Sequence, residues 1–353
     1  MKQRVQQLTR MLSECAEPSD ALAGRLPDGR IECRACAHRC QLPDGASGIC
    51  RMRTHRDGSL YVPRGYIAGM QIDPVEKKPF YHVLPGETAL SYGLLGCNFR
   101  CGFCQNWVSS QALKDENAGA SVSAIDAETI VELAVRRGSK MIVSTYNEPL
   151  ISSEWSHEIF TLAKKKNIRC GYVSNGFATT EALDFLADVL DFMNVDLKTF
   201  DDAKYRTLGG ELQPVLDTIR QLVERGIFAE IVTLLVPGLN DGDDELSRMA
   251  DFIASVSPTL PWHISAFHAD YKMTDRRSTS MDDLLRAAQI AKSAGIKHIY
   301  LGNRGDVGEW ENTRCASCGS TLIRRSGYLV RENRLAPGGG CPDCGATLAG
   351  RWD

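Results

Sequence analysis

The stretch Gly93-Leu94-Leu95-Gly96-Cys97-Asn98-Phe99-Arg100-Cys101-Gly102-Phe103-Cys104-Gln105-Asn106-Trp107 decides how the rest of the chain is read. It follows an apolar run, Ala89–Leu95, and carries three cysteines with three residues and then two between them. Three thiolates this close can hold three irons of a cubane cluster. A [4Fe–4S] centre ordinarily takes four cysteines, so one iron is left without a protein ligand. An open iron predicts chemistry at that iron as well as electron transfer.

Working outward, the 353 residues are enough for two or three domains, with 43% hydrophobic and 24% charged residues. No apolar run reaches the roughly 20 residues of a membrane span, and the first residues, MKQRVQQLTRMLSE, lack a signal-type apolar segment. Val5, Leu8 and Leu12 there read as a short amphipathic helix. These features predict a cytoplasmic protein, and a net charge of −3 gives no field that would gather nucleic acid. Eleven of thirteen cysteines fall into three clusters, which in a reducing compartment predicts metal rather than disulfides. Cys15 and Cys170 stand apart as non-functional, Cys170 as a small buried hydrophobe. The clusters divide the chain into a Cys-rich region at 1–85 ending in Pro74, Pro79 and Pro85, a middle at 86–310, and a Cys-x-x-Cys tail at 311–353.

The middle alternates strand-length apolar runs with amphipathic helical stretches. The runs are Ala89–Leu95, Met141–Thr145, Cys170–Ser174, Phe192–Leu197, Ala229–Val236, His263–Phe267 and His298–Leu301. Helices are predicted from an N-cap at Asp126 to Gly138, and over 152–166, 180–189, 213–225, 242–256 and 280–294. Such alternation predicts a parallel sheet with crossover helices. The polar residues follow the C-terminal ends of several different strands, which favours a βα-barrel over a doubly wound sheet.

Those polar segments are the candidate site. Ser144-Thr145-Tyr146-Asn147-Glu148-Pro149 follows the second run. Val173-Ser174-Asn175-Gly176-Phe177 follows the third, where glycine after asparagine permits a positive-φ turn. Next, Asn194, Asp196 and Lys198 share one face of a strand by alternation. Buried polar groups need partners, so Asp196 and Lys198 are predicted to bind cofactor or substrate. Leu235-Val236-Pro237-Gly238 makes a turn whose backbone at Val236 is a further candidate cofactor contact. His268 ends a strand and is a candidate contact, while His263 at its start is read as structural. Asn303, Arg304 and Asp306 form a polar loop that points more weakly to substrate.

The Cys97, Cys101 and Cys104 spacing resembles the signature of the radical S-adenosylmethionine (SAM) superfamily. The resemblance implies a partial (β/α)6 barrel with SAM on the open iron through its amino and carboxylate groups. It also implies that Asn147 and Glu148 match the end of the segment that holds the SAM amino group, although the glycine pair usual there is missing. On this reading Ser174, Asn175, Asp196, Lys198, Val236 and His268 complete the cofactor-binding set. The Asn-Gly-Phe turn, Asp-Leu-Lys strand, Val-Pro-Gly and Phe-His are similar to pyruvate formate-lyase activating enzymes. Asp73–Phe80, Cys104-Gln105-Asn106-Trp107 and the N-terminal cysteines resemble the radical SAM member of the AmmeMemoRadiSam system. That resemblance implies Memo-type and AMMECR-type partner proteins, and a cluster that must be reduced predicts an electron donor such as a flavodoxin or ferredoxin.

Two further cysteine sets predict metal. Cys33-x2-Cys36-x3-Cys40-x9-Cys50 fits a closed zinc site, the preferred reading, and equally a second iron–sulfur cluster that would relay electrons to the first. His38 inside it reads as a loop residue. Cys315-x2-Cys318 and Cys341-x2-Cys344, each followed by glycine, read as a zinc ribbon. The tail carries six arginines from Arg314 onward against Glu332, Asp343 and Asp353, a balance read as a solvated surface rather than an RNA site. The predicted activity is reductive cleavage of SAM to a 5′-deoxyadenosyl radical that abstracts hydrogen from an unidentified substrate. Competing readings are a glycyl-radical activase acting on a protein backbone and a non-catalytic iron–sulfur and zinc scaffold for a partner or RNA.

Overall fold

In the computed structural model, which describes residues 8, 10–305 and 307–352, eight strands form one sheet. They are β1 Gly69–Pro74, β2 Thr88–Gly93, β3 Met141–Ser144, β4 Arg169–Ser174, β5 Phe192–Asp196, β6 Phe228–Leu235, β7 Trp262–Ala266 and β8 Ile299–Gly302. They lie side by side in chain order. Strands β2 to β8 are parallel, while β1 runs antiparallel on the outer edge of β2. The order never reverses, as in a barrel opened along one seam, whereas a doubly wound sheet has a switch point.

Each apolar run of the sequence became one of the seven parallel strands. Strand β3 is buried at all four residues, as expected of a parallel sheet covered on both faces. The crossovers are α1 Ala127–Arg136, α2 Ser153–Lys164, α3 Thr180–Leu186, α4 Asp202–Leu208, α5 Leu212–Glu224, α6 Asp243–Val256 and α7 Met281–Ser293. Asp126 caps α1 by accepting the Thr129 N–H at 2.7 Å, and Ser280 with Asp283 closes a capping box on α7. Two elements escaped sequence reading. Strand β1, counted there with the N-terminal region, exposes Gln71 and Ile72 because it is an edge. Helix α4 buries only Tyr205 and Leu208 of its seven residues, too few to show a period.

The segment after β1 enters the sheet's interior at the N-terminal ends of the strands. Buried Glu230 accepts the backbone N–H of Tyr81 and His82 at 3.0 and 2.8 Å and meets His263 Nε2 at 2.6 Å. Asn194 Nδ2 donates to the Pro79 carbonyl at 2.8 Å. This end is therefore plugged, and the C-terminal strand ends are left for the site.

Residues 10–14 are helical, with Leu12 buried, while Val5 and Asp306 lie outside the described residues. Small antiparallel sheets of the N-terminal region contribute Ile31, Leu42, Leu60 and Val62 to the main core, and the turn before Ala23 adds Leu22. The tail builds the antiparallel strands Thr321–Ser326 and Leu329–Asn333 over a separate core of Cys315, Leu322, Cys341 and Leu348. No helix among the described residues is long and apolar enough to cross a membrane.

Candidate active site

The cysteine loop leaves β2 and is stapled by its own neighbours. Lys114 Nζ donates to the carbonyls of Cys97 and Phe99 at 2.6 and 3.1 Å, and Gln111 Nε2 to Phe99 O at 3.2 Å. The sulfurs already meet polar hydrogen donors: the Phe99 N–H lies 3.3 Å from Cys97 Sγ and Ser110 Oγ 3.2 Å from Cys104 Sγ. Burial pushes the Cys101 thiol up to about 12 and raises Cys97 and Cys104 as well. Metal reverses that preference by drawing off the protons. Three thiols on one cavity wall, two of them with donors aimed at sulfur, fit a three-cysteine iron–sulfur cluster.

That cavity, about 430 Å³, is lined by Cys97, Cys101 and Cys104 together with Asn147, Glu148, Ser174, Asn175, Asp196 and Lys198. Residues from the ends of β2, β3, β4 and β5 thus converge, because parallel strands in chain order bring their C-terminal loops to one rim. After β3, Tyr146 takes a positive φ of 70° and Asn147 Oδ1 accepts the Leu94 N–H at 3.0 Å, tying the β3 loop to β2. Glu148 is buried. Its Oε1 accepts from Ser174 Oγ at 2.7 Å and from the Leu150 N–H at 3.1 Å, and its Oε2 from the Asn175 N–H at 2.8 Å. Burial outweighs these bonds and raises its carboxyl to about 7.

The turn after β4 is set by Gly176 at φ 69°, where a side chain would strike Val195 Cγ1. Asn175 Nδ2 donates across to Asn98 Oδ1 at 2.7 Å, in the cysteine loop. At the end of β5, Lys198 Nζ pairs with Asp196 Oδ2 at 2.8 Å. Burial opposes the Lys198 charge, but Asp196 and Cys101 more than offset it and hold the ammonium protonated.

Two sequence candidates lie elsewhere. Val236 is buried with its N–H on Asn240 Oδ1 at 2.7 Å, and Val232 and Leu234 line the cavity from that strand instead. His268 is exposed beyond β7, with Nδ1 3.1 Å from Gln105 Nε2. It lines an adjoining cavity of about 440 Å³ that shares Gln105, Asn303 and Tyr328 with the first.

Sequence reasoning missed several lining residues. Lys78 is buried, paired to Asp73 at 2.9 Å and 3.1 Å from the Tyr146 hydroxyl. Its only sequence signal was its place in the Asp73–Phe80 run. Tyr328 reaches the mouth from the tail, with nothing local to mark it. In the tail, Cys315 and Cys344 sulfurs stand 3.6 Å apart and Cys318 and Cys341 sulfurs 3.7 Å apart. All four lie within 4.8 Å of one another, a group able to bind a metal ion.

Comparison with known proteins agrees with this geometry. Residues 93–253 match the Radical SAM superfamily. An uncharacterized protein of Methanocaldococcus jannaschii, MJ0808, is 35% identical over 303 residues, covering 85% of this chain and 89% of that one. Pyruvate formate-lyase 1-activating enzyme of Escherichia coli is 23% identical over 222 residues, covering 58% of this chain and 89% of that one. Among solved structures, a radical SAM methyltransferase from Sphaerobacter thermophilus superposes with a TM-score of 0.50 at 17% identity, over 74% of this chain and 76% of that one.

Proposed function

Because the chain belongs to the radical SAM superfamily and is an enzyme of that type, we propose that it generates a 5′-deoxyadenosyl radical from SAM and uses it to abstract hydrogen from a substrate at the cavity mouth. One observation carries this reading: the three-cysteine loop opens into the same cavity as buried Glu148 and the Asp196–Lys198 pair. Cys97, Cys101 and Cys104 would hold three irons of a [4Fe–4S] cluster, which when bound supplies the electron that breaks the SAM C–S bond.

The chain's own residues do the positioning, within a partial (β/α)6 barrel. Glu148, held by three hydrogen bonds, presents a carboxylate to the SAM ammonium, with Asn147 beside it. The Ser174 hydroxyl and Asn175 amide serve ribose or carboxylate oxygens. Asp196 and Lys198 offer an acceptor and a fixed cation. Val232 and Leu234 give an apolar wall, the nearest counterpart to the cofactor contact expected at Val236. His268, Asn303 and Tyr328 surround the adjoining cavity, where substrate would meet the radical away from bulk water.

Similarity to the E. coli activating enzyme supports a second reading, in which the hydrogen comes from a glycine of a partner's backbone. AmmeMemoRadiSam membership, with Memo-type and AMMECR-type partners and a flavodoxin or ferredoxin as donor, rests on the Asp73–Phe80 and Gln105-Asn106-Trp107 motifs. Thirteen cysteines, eleven of them in ligand-like clusters, support a reducing, cytoplasmic setting for this chemistry. The ribbon cysteines are read as a zinc site.

The test is anaerobic reconstitution with iron and sulfide, then SAM and dithionite, with mass spectrometry for 5′-deoxyadenosine. Wild-type chain should form it and Cys101→Ala should not. Product from the variant would refute the proposal. A persistent organic radical on a partner protein, seen by EPR, would select the activase reading.

A further inference from the structure

We infer that Cys33, Cys36, Cys40 and Cys50 hold a second iron–sulfur cluster and not a single zinc ion. What separates the two is how far apart the thiols stand. Four thiolates around one zinc, each at about 2.3 Å, must have sulfurs about 3.8 Å from one another. The ribbon cysteines meet that condition, with sulfur pairs at 3.6 and 3.7 Å and all four within 4.8 Å. Among the described residues they are the only set of three or more Cys, His, Asp or Glu that does. No three of Cys33, Cys36, Cys40 and Cys50 stand as close as the ribbon set, and Cys97, Cys101 and Cys104 do not either. In a cluster the thiolates are shared out over several irons, so the sulfurs spread further than around one ion. Eleven thiols thus sort into one tight set and two wide ones, and one wide set is the cluster loop itself. The proposal leans on the radical SAM reading only for that yardstick.

The four still converge on one place, and that place is built for sulfur. The Cys33 N–H donates to Cys40 O at 2.9 Å, folding the first and third cysteines together. Cys33, Cys36 and Cys50 are buried. Arg53, 1% exposed, directs Nε at Cys33 Sγ from 3.1 Å. Its other nitrogens bind both oxygens of Glu154 at 2.6 Å and the Ile151 carbonyl at 3.1 Å, so the guanidinium is fixed. A buried charged donor on a thiol suits a ligand sulfur that carries negative charge. Asn98, 1% exposed and next in the chain to Cys97, keeps a buried Nδ2 donor without a hydrogen-bond partner. His38 is taken up elsewhere, its Nε2 3.2 Å from Asn98 O, and leaves the four cysteines as the ligand set.

The two wide sets are also neighbours. Asn98 follows Cys97 directly, and the Cys50 carbonyl lies 3.3 Å from where a Gly96 side chain would begin. Gly96, at φ 88°, lets the Cys50 chain close against the residue before Cys97.

The experiment uses full-length chain carrying Cys97→Ala, Cys101→Ala and Cys104→Ala together, purified anaerobically and reconstituted with iron and sulfide. Iron, sulfide and zinc are counted, and an EPR spectrum is taken after dithionite. The variant should retain about four irons and four sulfides, or about two of each for a binuclear cluster, with one zinc and a reduced-cluster signal. Iron-free variant carrying two zincs would overturn the proposal. As a guard against misfolding, wild-type chain should bind the same increment of iron beyond the first cluster, and Cys33→Ala with Cys36→Ala should remove it. Wild-type chain with only about four irons and two zincs would also overturn it. The two readings fail separately: if wild-type chain makes no 5′-deoxyadenosine while the triple variant keeps its iron, the function falls and this site stands.

Discussion

Arg325→Ala should be the most costly single change in the tail. The Arg325 side chain is 0% exposed and faces an equally buried Glu76, with Nε 3.4 Å from Oε1. Its remaining nitrogens donate to Thr313 Oγ1 and Tyr81 O at 2.8 Å and to Glu311 O at 3.2 Å, and the guanidinium lies 4.1 Å from the Tyr81 ring centroid. Truncating one partner of a buried pair strands the other, at about 3–5 kcal/mol. At about 2.1 cal/mol/K of unfolding entropy per residue over 353 residues, 4 kcal/mol lowers Tm by about 5 °C. Burial already raises the Glu76 carboxyl despite Arg325. A raised acid binds its proton more tightly folded than unfolded, so its contribution to stability falls as pH rises. Arg325→Ala should therefore lose more at pH 8 than at pH 5. The assay is thermal unfolding at both pH values, with Arg325→Met/Glu76→Gln as the charge-free control. That control should recover most of the loss. A drop under about 1 °C for Arg325→Ala, or a control no better than the single change, would refute the account.

Glu148, His298 and Cys318 carry further tests. Glu148→Gln turns an acceptor oxygen into N–H2 against the Asn175 N–H or the Leu150 and Ser174 donors, costing about 1.5–3 kcal/mol, so 5′-deoxyadenosine formation should fall at least about tenfold. Wild-type affinity for SAM, by equilibrium dialysis, should rise from pH 6 to 8 as a carboxyl held at about 7 ionises, and the variant's should lack that rise; parallel profiles would exclude Glu148 as the group. His298 is held down to about 4 by burial against an ordinary 6.5. Unfolded chain takes up a proton in that window and folded chain does not, so stability falls on acidification, by about 2 kcal/mol at pH 5. His298→Leu should lose about that much less than wild type in melts compared at pH 7.5 and 5, and equal losses would sink the assignment. Cys318→Ser should release one zinc, expose the tail arginines to trypsin and leave iron content unchanged; an unaltered zinc count would show that the ribbon is not the zinc site.

What was legible in the sequence follows the physics of burial. Seven parallel strands showed themselves as apolar runs because both faces are covered. Strand β1 did not, since its place at the edge leaves none of its six residues fully buried and it reads as loop. Glu148, Ser174, Asn175, Asp196 and Lys198 were found by position after strands, and the sheet order carries those positions to one rim. Lys78 and Tyr328 reach the same rim from beyond the antiparallel edge and from the tail, Asn98 of the cysteine loop bonds Asn175 there, and no local pattern marks a contact made across the fold. The N-terminal metal was open for a related reason. Spacing along the chain says that four thiols can meet, while zinc and iron–sulfur clusters differ in how closely the sulfurs approach.

The tail is more than a ribbon hung from the end of a catalytic sheet. An open sheet has two unpaired edges, here β1 and β8, and exposed edges invite pairing with other chains. A buried polar chain joins the two sides. Tyr300 of β8 meets His82 Nε2 at 2.7 Å and Thr313 Oγ1 at 2.9 Å, Thr313 holds Arg325, and Arg325 holds Glu76, two residues beyond β1. Val83 pairs with Arg351, and the Arg351 N–H bonds His82 O at 2.8 Å, so the last residues of the chain grip the same segment. Arg325 and Tyr328 sit at neighbouring positions of one hairpin, the first sealing the seam and the second lining the cavity. A metal bound at the four tail cysteines would order that hairpin's base. Loss of that metal should therefore be felt first at the seam and then at the cavity mouth, although no ribbon cysteine touches the site.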